Sequence, residues 1–297
     1  MSTATIEPTN TEAIAPGVHD LPESTYLRDP VPGGSLSASG AKLILECPAK
    51  FRHRQLAGEQ HRDYFDFGKA AHAEVLGAGA PLAVIDATDW RSKDARDKRD
   101  EARENGNTPI LAKDHAVVKA MAEQIRLHPI ASELLNPDKG KPEQTLIWHD
   151  LIWRRSRLDW LPELPESGRL IVPDYKTCAD ASASGFTRSA ASYGYMMQAA
   201  WYLDGVRTLL GADDAAFVFI AQEKEAPYVV NVVEMTADFL AIGDWRNEVA
   251  VERYMRCMET GIWPGYSDEV QRISAPRWLE IEHEQQTEMK AEGITSW

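Results

Sequence analysis

The sequence predicts an α/β protein with a central mixed β-sheet flanked by helices. Three observations carry that expectation. Segments with helical spacing fill the first half of the chain; residues 143–177 turn rich in β-branched and aromatic side chains; and a long helical region, two more strands and a last helix follow. At 297 residues, 43% of them hydrophobic, there is material for one large core or two small ones.

Residues 1–34 are rich in Thr, Ser, Pro, Gly and acids with little periodicity, which predicts a mobile leader. Ser37 or Ser39 can cap a short helix through Ile44, and Pro48 ends it before "PAKFRHRQL" starts another. "YFDFGKAAHAEVLG" (64–77) reads as a helix stopped by Gly77. The strongly charged stretch 90–107 includes "RENGNTP", expected as an exposed loop. Residues 114–129 space Val117, Val118, Met121 and Ile125 as a helix that stops at Pro129. Residues 143–150 and 151–161 predict two strands turning near His149-Asp150, and "RLIVPDYKT" (169–177) predicts the next. A helical region over 184–210, strands over 215–223 and 228–235 with a turn at Glu225-Ala226-Pro227, and a helix over 237–259 complete the order. A domain over 35–280 and an acidic tail over 281–297 are the expected divisions.

No apolar run reaches membrane-spanning length, and the N-terminus lacks a basic start followed by an apolar segment, so a cytoplasmic protein without a membrane partner is expected. Cys47, Cys178 and Cys257 lie far apart, which favours free thiols and excludes a four-cysteine zinc or iron–sulfur site within this chain. The net charge of −14 argues against a generic nucleic-acid binder. That charge is uneven, however: basic residues cluster at 50–54, 91–99 and 154–157, while the last thirty residues are acid-rich. A phosphodiester hydrolase needs only a local basic path.

On a strand, residues i and i+2 share a face, so the Asp174 carboxylate and the Lys176 ammonium should emerge side by side. Asp159, in "SRLDWL", ends the preceding predicted strand. If the strands are neighbours, the three side chains converge. That trio suits metal-dependent phosphodiester cleavage: two carboxylates hold a hard cation, and the lysine orients water or stabilises phosphate charge. The triplet alone is weak, since an acid-x-Lys sequence is expected about twice by chance. It recurs at Glu288-Met289-Lys290 in a polar tail. Taken singly, Asp174 and Lys176 read as a surface ion pair and Asp159 as a partner of Arg157. His72 reads as a helix histidine, and Gln198 and Tyr202 as a half-polar stripe on a core helix. Arg154, Arg155 and Arg157 read as the solvated side of a strand, and Trp263 and Trp278 as core anchors rather than base-stacking platforms.

The spacing D-x14-D-Y-K on consecutive strands resembles the PD-(D/E)XK nuclease superfamily, and its company resembles the RecB-type branch, particularly RecE-like phage exonucleases (exodeoxyribonuclease VIII-like). "FGKAAHAEVL" resembles that branch's G-x-x-x-H helix through Gly68 and His72. "QAAWY" resembles its Q-x-x-x-Y element through Gln198 and Tyr202. "SASGAKLILECPAKFR" and "GIWPGY" resemble the opening and closing elements, so the similarity spans residues 35–280. Leu158, not proline, precedes the first acid; Pro173 before the second is a coincidence of letters.

The resemblance implies a restriction-endonuclease-like core. It implies Asp159, Asp174, His72 and Glu143 as metal ligands, Lys176 as the helper of the attacking water, and Gln198 and Tyr202 as positioning groups. Magnesium is the implied cofactor, with manganese as a substitute. Cys47-Pro48 stands where some relatives ligate an iron–sulfur cluster, but its partner cysteines are missing and no cluster is expected. The implied activity is exonucleolytic hydrolysis of linear double-stranded DNA from its ends, 5′ to 3′, leaving 3′ overhangs. These would pass to a RecT-type single-strand annealing protein in recombination. The implied setting is a homo-oligomer encoded by a phage or prophage and acting in the bacterial host. The rival expectations are a structure-specific or single-strand nuclease in repair or CRISPR-associated processing, an inactive DNA-binding module, and a structural protein with an incidental D-Y-K strand.

Overall fold

A computed structural model describes residues 14–57 and 65–292. Order starts before Ser37: β1 (Gly17–His19) and α1 (Glu23–Leu27) precede it, and β1 joins the sheet described below. Residues 14–34 therefore depart from the expected mobile leader; residues 1–13 lie outside the described residues. Asp29 accepts the Ser35 N–H and the Ser35 hydroxyl, each at 2.7 Å, and pairs with Arg155 at 2.8 Å. Composition alone does not reveal such closure.

After β2 (Leu36–Ser37), Ser37 Oγ accepts the Gly40 N–H at 3.2 Å and opens α2 (Ala38–Glu46). Pro48 begins α3 (Pro48–Ala57), where a missing N–H costs nothing. α4 (Phe65–Leu76) ends at Gly77, which takes a left-handed φ of 65°. β3 (Leu82–Ile85), α5 (Lys93–Glu104) and β4 (Thr108–Leu111) follow, with β3 and β4 parallel. The charged stretch 90–107 contains a capped helix, and the loop expected at "RENGNTP" shortens to a turn running into β4. α5 buries only Ala95 and Ala102, so it carries no apolar stripe to read. α6 (Ala112–Leu127) agrees with its helical spacing, but Pro129 starts α7 (Pro129–Leu134) instead of ending the helical run.

The centre of the chain supplies β5 (Gly140–Pro142), β6 (Thr145–His149), β7 (Trp153–Arg157), β8 (Trp160–Pro162) and β9 (Ile171–Cys178). β6 and β7 form the expected hairpin, turning between His149 and Trp153. The strand expected over 151–161 breaks at Leu158-Asp159, and β8 pairs with β5. α8 (Ala183–Tyr193) and α9 (Tyr195–Leu210) are two helices rather than one, parted at Gly194 with φ 66°. β10 (Ala216–Glu223), β11 (Val230–Glu234) and α10 (Ala237–Thr260) complete the main unit, which ends at Trp263.

Sheet pairing is mixed. One sheet runs β1-β6-β7-β2, with β6 antiparallel to β1 and to β7 and β2 parallel to β7; another runs β11-β10-β9, with β9 and β10 parallel and β11 antiparallel. Helices cover both faces of the β9–β10 pair. Val172, Phe217 and Phe219 pack with Trp201 and Leu203 of α9, whereas Tyr175 and Ile220 pack with Ala70 and Ala71 of α4 and Val118 of α6. This is the predicted fold class. Trp263 stacks on Phe51 at 5.7 Å. The separate unit from Pro264 contains α11 (Arg277–Ala291), on which Trp278 is 65% exposed instead of anchoring a core. No described helix is long and apolar enough to cross a membrane.

Candidate active site

Alternation along β9 turns Val172, Asp174 and Lys176 toward α9. Asp174 is 1% exposed; its Oδ1 accepts a 2.7 Å hydrogen bond from Gln198 Nε2. Its Oδ2 is in close ion-pair contact with the Lys176 ammonium. Lys176 also lies over the Tyr195 ring, 5.6 Å from its centroid.

Asp159 comes from the break between β7 and β8. Its Oδ2 accepts the Tyr175 N–H at 2.8 Å, which ties that break to β9. His72, on α4, stands with Nδ1 3.5 Å from the same oxygen and edge-on to the Tyr175 ring. Two fully buried alanines before it, Ala70 and Ala71, let α4 approach the sheet closely enough. Glu143 takes a left-handed φ of 52° and gives its carboxylate to Arg157 at 2.7 Å. Tyr202, one turn after Gln198, hydrogen-bonds it and packs edge-on against Phe217.

His72, Asp159, Asp174, Lys176 and Gln198 thus meet at one end of β9, and Tyr202 reaches them through Gln198. Glu143 borders the same space but is engaged by Arg157. A cleft of about 1080 Å³ opens over the group, with His72, Glu143, Asp159 and Lys176 in its wall beside Tyr193 and Tyr195.

The electrostatics follow from crowding charge into a low-dielectric corner. Burial, and then the neighbouring Asp159, push the Asp174 carboxyl up to about 6 against the pull of Lys176. Burial raises Asp159 as well. Burial would lower Lys176, but the two carboxylates outweigh it and hold the ammonium above its usual range. Burial first, then Lys176, lowers the His72 imidazole to about 4, so it is neutral at pH 7.

As metal donors these groups fit a hard divalent cation in kind: two carboxylates, one of them raised toward its neutral form by burial, and a neutral imidazole. Among the described residues, no three His, Cys, Asp or Glu side chains stand together as a ready metal cage. Lys176 and Arg157 hold Asp174 and Glu143 in ion pairs instead.

Two contributors escape sequence reasoning. Lys42 of α2 sends its ammonium to the Tyr193 carbonyl at 3.2 Å, and burial followed by the nearby Lys176 lowers it to about 8. Tyr195 supplies the ring under Lys176. Neither belongs to a motif; only the Gly194 break, readable as a glycine within a helical pattern, hints at their neighbourhood. Arg154, Arg155 and Arg157 are not a solvated face: each is ion-paired and mostly enclosed.

The sequence model of a family described as "PDDEXK-like domain of unknown function (DUF3799)" matches residues 37–276. A crystal structure from Eubacterium rectale named "Putative exonuclease" superposes with a TM-score of 0.59 at 12% identity, covering 89% of this chain and 98% of that one. No curated protein matches in sequence.

Proposed function

Because the chain belongs to the PDDEXK-like domain family that matches residues 37–276, we propose that it is a divalent-metal-dependent nuclease. It hydrolyses phosphodiester bonds of linear double-stranded DNA from its ends. The observation that carries this reading is the grouping of Asp159 and Lys176 in the wall of one cleft with Asp174 buried against Lys176, and with His72 and Gln198 against the two acids.

Asp159 and Asp174 would hold the metal, magnesium by preference with manganese as a substitute, and His72 would add a neutral nitrogen. A bound cation supplies Lewis acidity and a water acidic enough to attack at neutral pH. Gln198 keeps the Asp174 carboxylate in one plane. Lys176, kept protonated by its carboxylates, faces negative charge as it builds on the phosphoryl oxygens. Water oxygen bonds to phosphorus while the ester oxygen departs.

The RecE-like subtype, 5′-to-3′ polarity, 3′ overhangs, oligomeric assembly and hand-over to a RecT-type annealing protein belong to the same proposal. The order of the flanking motifs is what supports them; the exonuclease name of the structural relative bears on end-directed cleavage alone. Incubation of end-labelled linear and closed circular duplexes with magnesium, or with chelator, tests the reading. Loss of linear DNA only, dependent on metal and abolished in Asp174→Ala and Lys176→Ala, is expected. Cleavage of the circle would overturn the exonuclease assignment, and activity surviving both substitutions would overturn the site.

A further inference from the structure

The break between α8 and α9 is built, not incidental. Gly194 adopts φ 66° and ψ 40°, and a Cβ there would come within 3.0 Å of Lys42 Cδ. Lys42 caps the break by donating to the Tyr193 carbonyl at 3.2 Å. Two tyrosines flank it, with ring centroids 5.7 Å apart, and they have opposite surroundings. Tyr195 is packed against Phe186 and Phe219 and carries Lys176 over its ring. Tyr193 is 63% exposed, yet it borders the same cleft as Asp159 and Lys176. An aromatic side chain held open beside a catalytic lysine, on a backbone pinned by a half-buried lysine, is placed to receive a flat apolar surface.

We infer that Tyr193 is a stacking platform for an unpaired base of the strand entering the cleft. Interior bases of a duplex cover one another's faces, so what lies on this ring is either the outer face of a terminal pair or a base splayed from its partner. We assign the splayed base; quenching and tight binding on the blunt end equal to those on the fork would overturn that assignment. Stacking tolerates any base, since each has a π-face. The inference rests on the nuclease reading and adds the state of the substrate: the strand reaches Asp174 and Lys176 single-stranded. Tyr195 keeps Lys176 in register with the platform, and Lys42 is a positioning residue for Tyr193.

The test uses the full chain carrying Asp174→Asn, in magnesium, so that DNA binds without being cut. The probes are a blunt duplex and a duplex with an unpaired fork at its end, each with 2-aminopurine as the terminal base. Fluorescence anisotropy reads affinity, and quenching of the aminopurine reads stacking. We expect quenching on the fork and an affinity for it roughly tenfold above the blunt end, within the range of single base–aromatic stacks. Adding Tyr193→Ala should remove both, while Tyr193→Phe should keep both. Fork preference and quenching that persist in Tyr193→Ala, or are missing before it is introduced, overturn the platform alone. Absence of DNA binding in every variant overturns the nuclease reading and the platform with it, and retained cleavage by Asp174→Asn overturns the site.

Discussion

β7 and β9 both carry charges into the interior, yet they settle them in opposite ways. On β7, Arg155 donates to the Ser35 carbonyl at 2.7 Å and the Ser35 hydroxyl at 2.8 Å while pairing with Asp29 at 2.8 Å; Arg154 pairs with Asp150 and Asp204, each at 2.8 Å. Apart from the Nε atoms, which make no hydrogen bond, these guanidinium groups are spent on fixed partners. On β9, Lys176 is paired with Asp174, yet burial and the neighbouring Asp159 still push the acid up to about 6. The difference is between charges closed on each other and charges left with capacity to spare. Spare capacity in a buried acid is what a cation or a reacting phosphate can use.

The widest separation should come from removing one cation from each strand. Lys176→Met should lower cleavage roughly 10²–10³-fold, the loss of one charge-stabilising group. Its cost in stability should be small, because Asp174 already protonates near pH 6 and can go neutral when its partner leaves. Arg155→Met leaves Asp29 without its cation and the Ser35 carbonyl without this donor, and breaking a buried pair costs roughly 3–5 kcal/mol. Urea denaturation beside the cleavage assay checks both. An Arg155→Met protein that keeps its stability but loses cleavage would merge the two regions into one site.

That contrast explains what was legible. Period-two alternation placed Asp174 beside Lys176, and period 3.6 placed Gln198 and Tyr202 on one face, because both rules are local. Asp159 reaches the site through a broken strand, and its tie to the Tyr175 N–H is tertiary; only its spacing pointed there. The β7 arginines looked solvated because their partners, Asp29 and Asp204, lie far away in sequence. The two buried alanines of α5 carry no periodic signal, and Lys42 is one ordinary lysine in a helix.

The next discriminant is pH, measured by urea denaturation in chelator. Asp174 titrates near 6 in the folded protein against 3.8 unfolded, so from about pH 4 to 6 the folded state holds the extra proton and stability falls as pH rises. Asp159, also raised, acts in the same direction. His72 opposes them: folded near 4 and unfolded near 6.5, it leaves the unfolded chain with the extra proton, so stability rises with pH across that window. Asp174 and His72 are each worth on the order of 3 kcal/mol at most, less for His72, whose side chain is 29% exposed and partly screened. The parent should therefore show a shallow slope. His72→Gln should fall more steeply with pH, and Asp174→Asn should turn the slope upward. Equal slopes in the two variants would mean that the corner is not coupled as its geometry requires.

The smallest effect separates the regions through neutral donors. Gln198 Nε2 gives its hydrogen bond to Asp174 at 2.7 Å, and Trp148 Nε1 gives one to Asp204 at 3.2 Å. Both stabilise a carboxylate, but only Asp174 must ionise for the proposed chemistry. Gln198→Leu removes a donor that favours the ionised form, so the Asp174 titration moves up and the acid limb of the pH–rate profile moves to higher pH. At neutral pH the rate should fall only about tenfold, the worth of one hydrogen bond. Trp148→Phe keeps the ring and deletes the other donor, and it should leave the acid limb where it was. If Trp148→Phe moves that limb as far as Gln198→Leu does, the charges of β7 are not closed, and the distinction between structural and chemical ion pairs on these two strands fails.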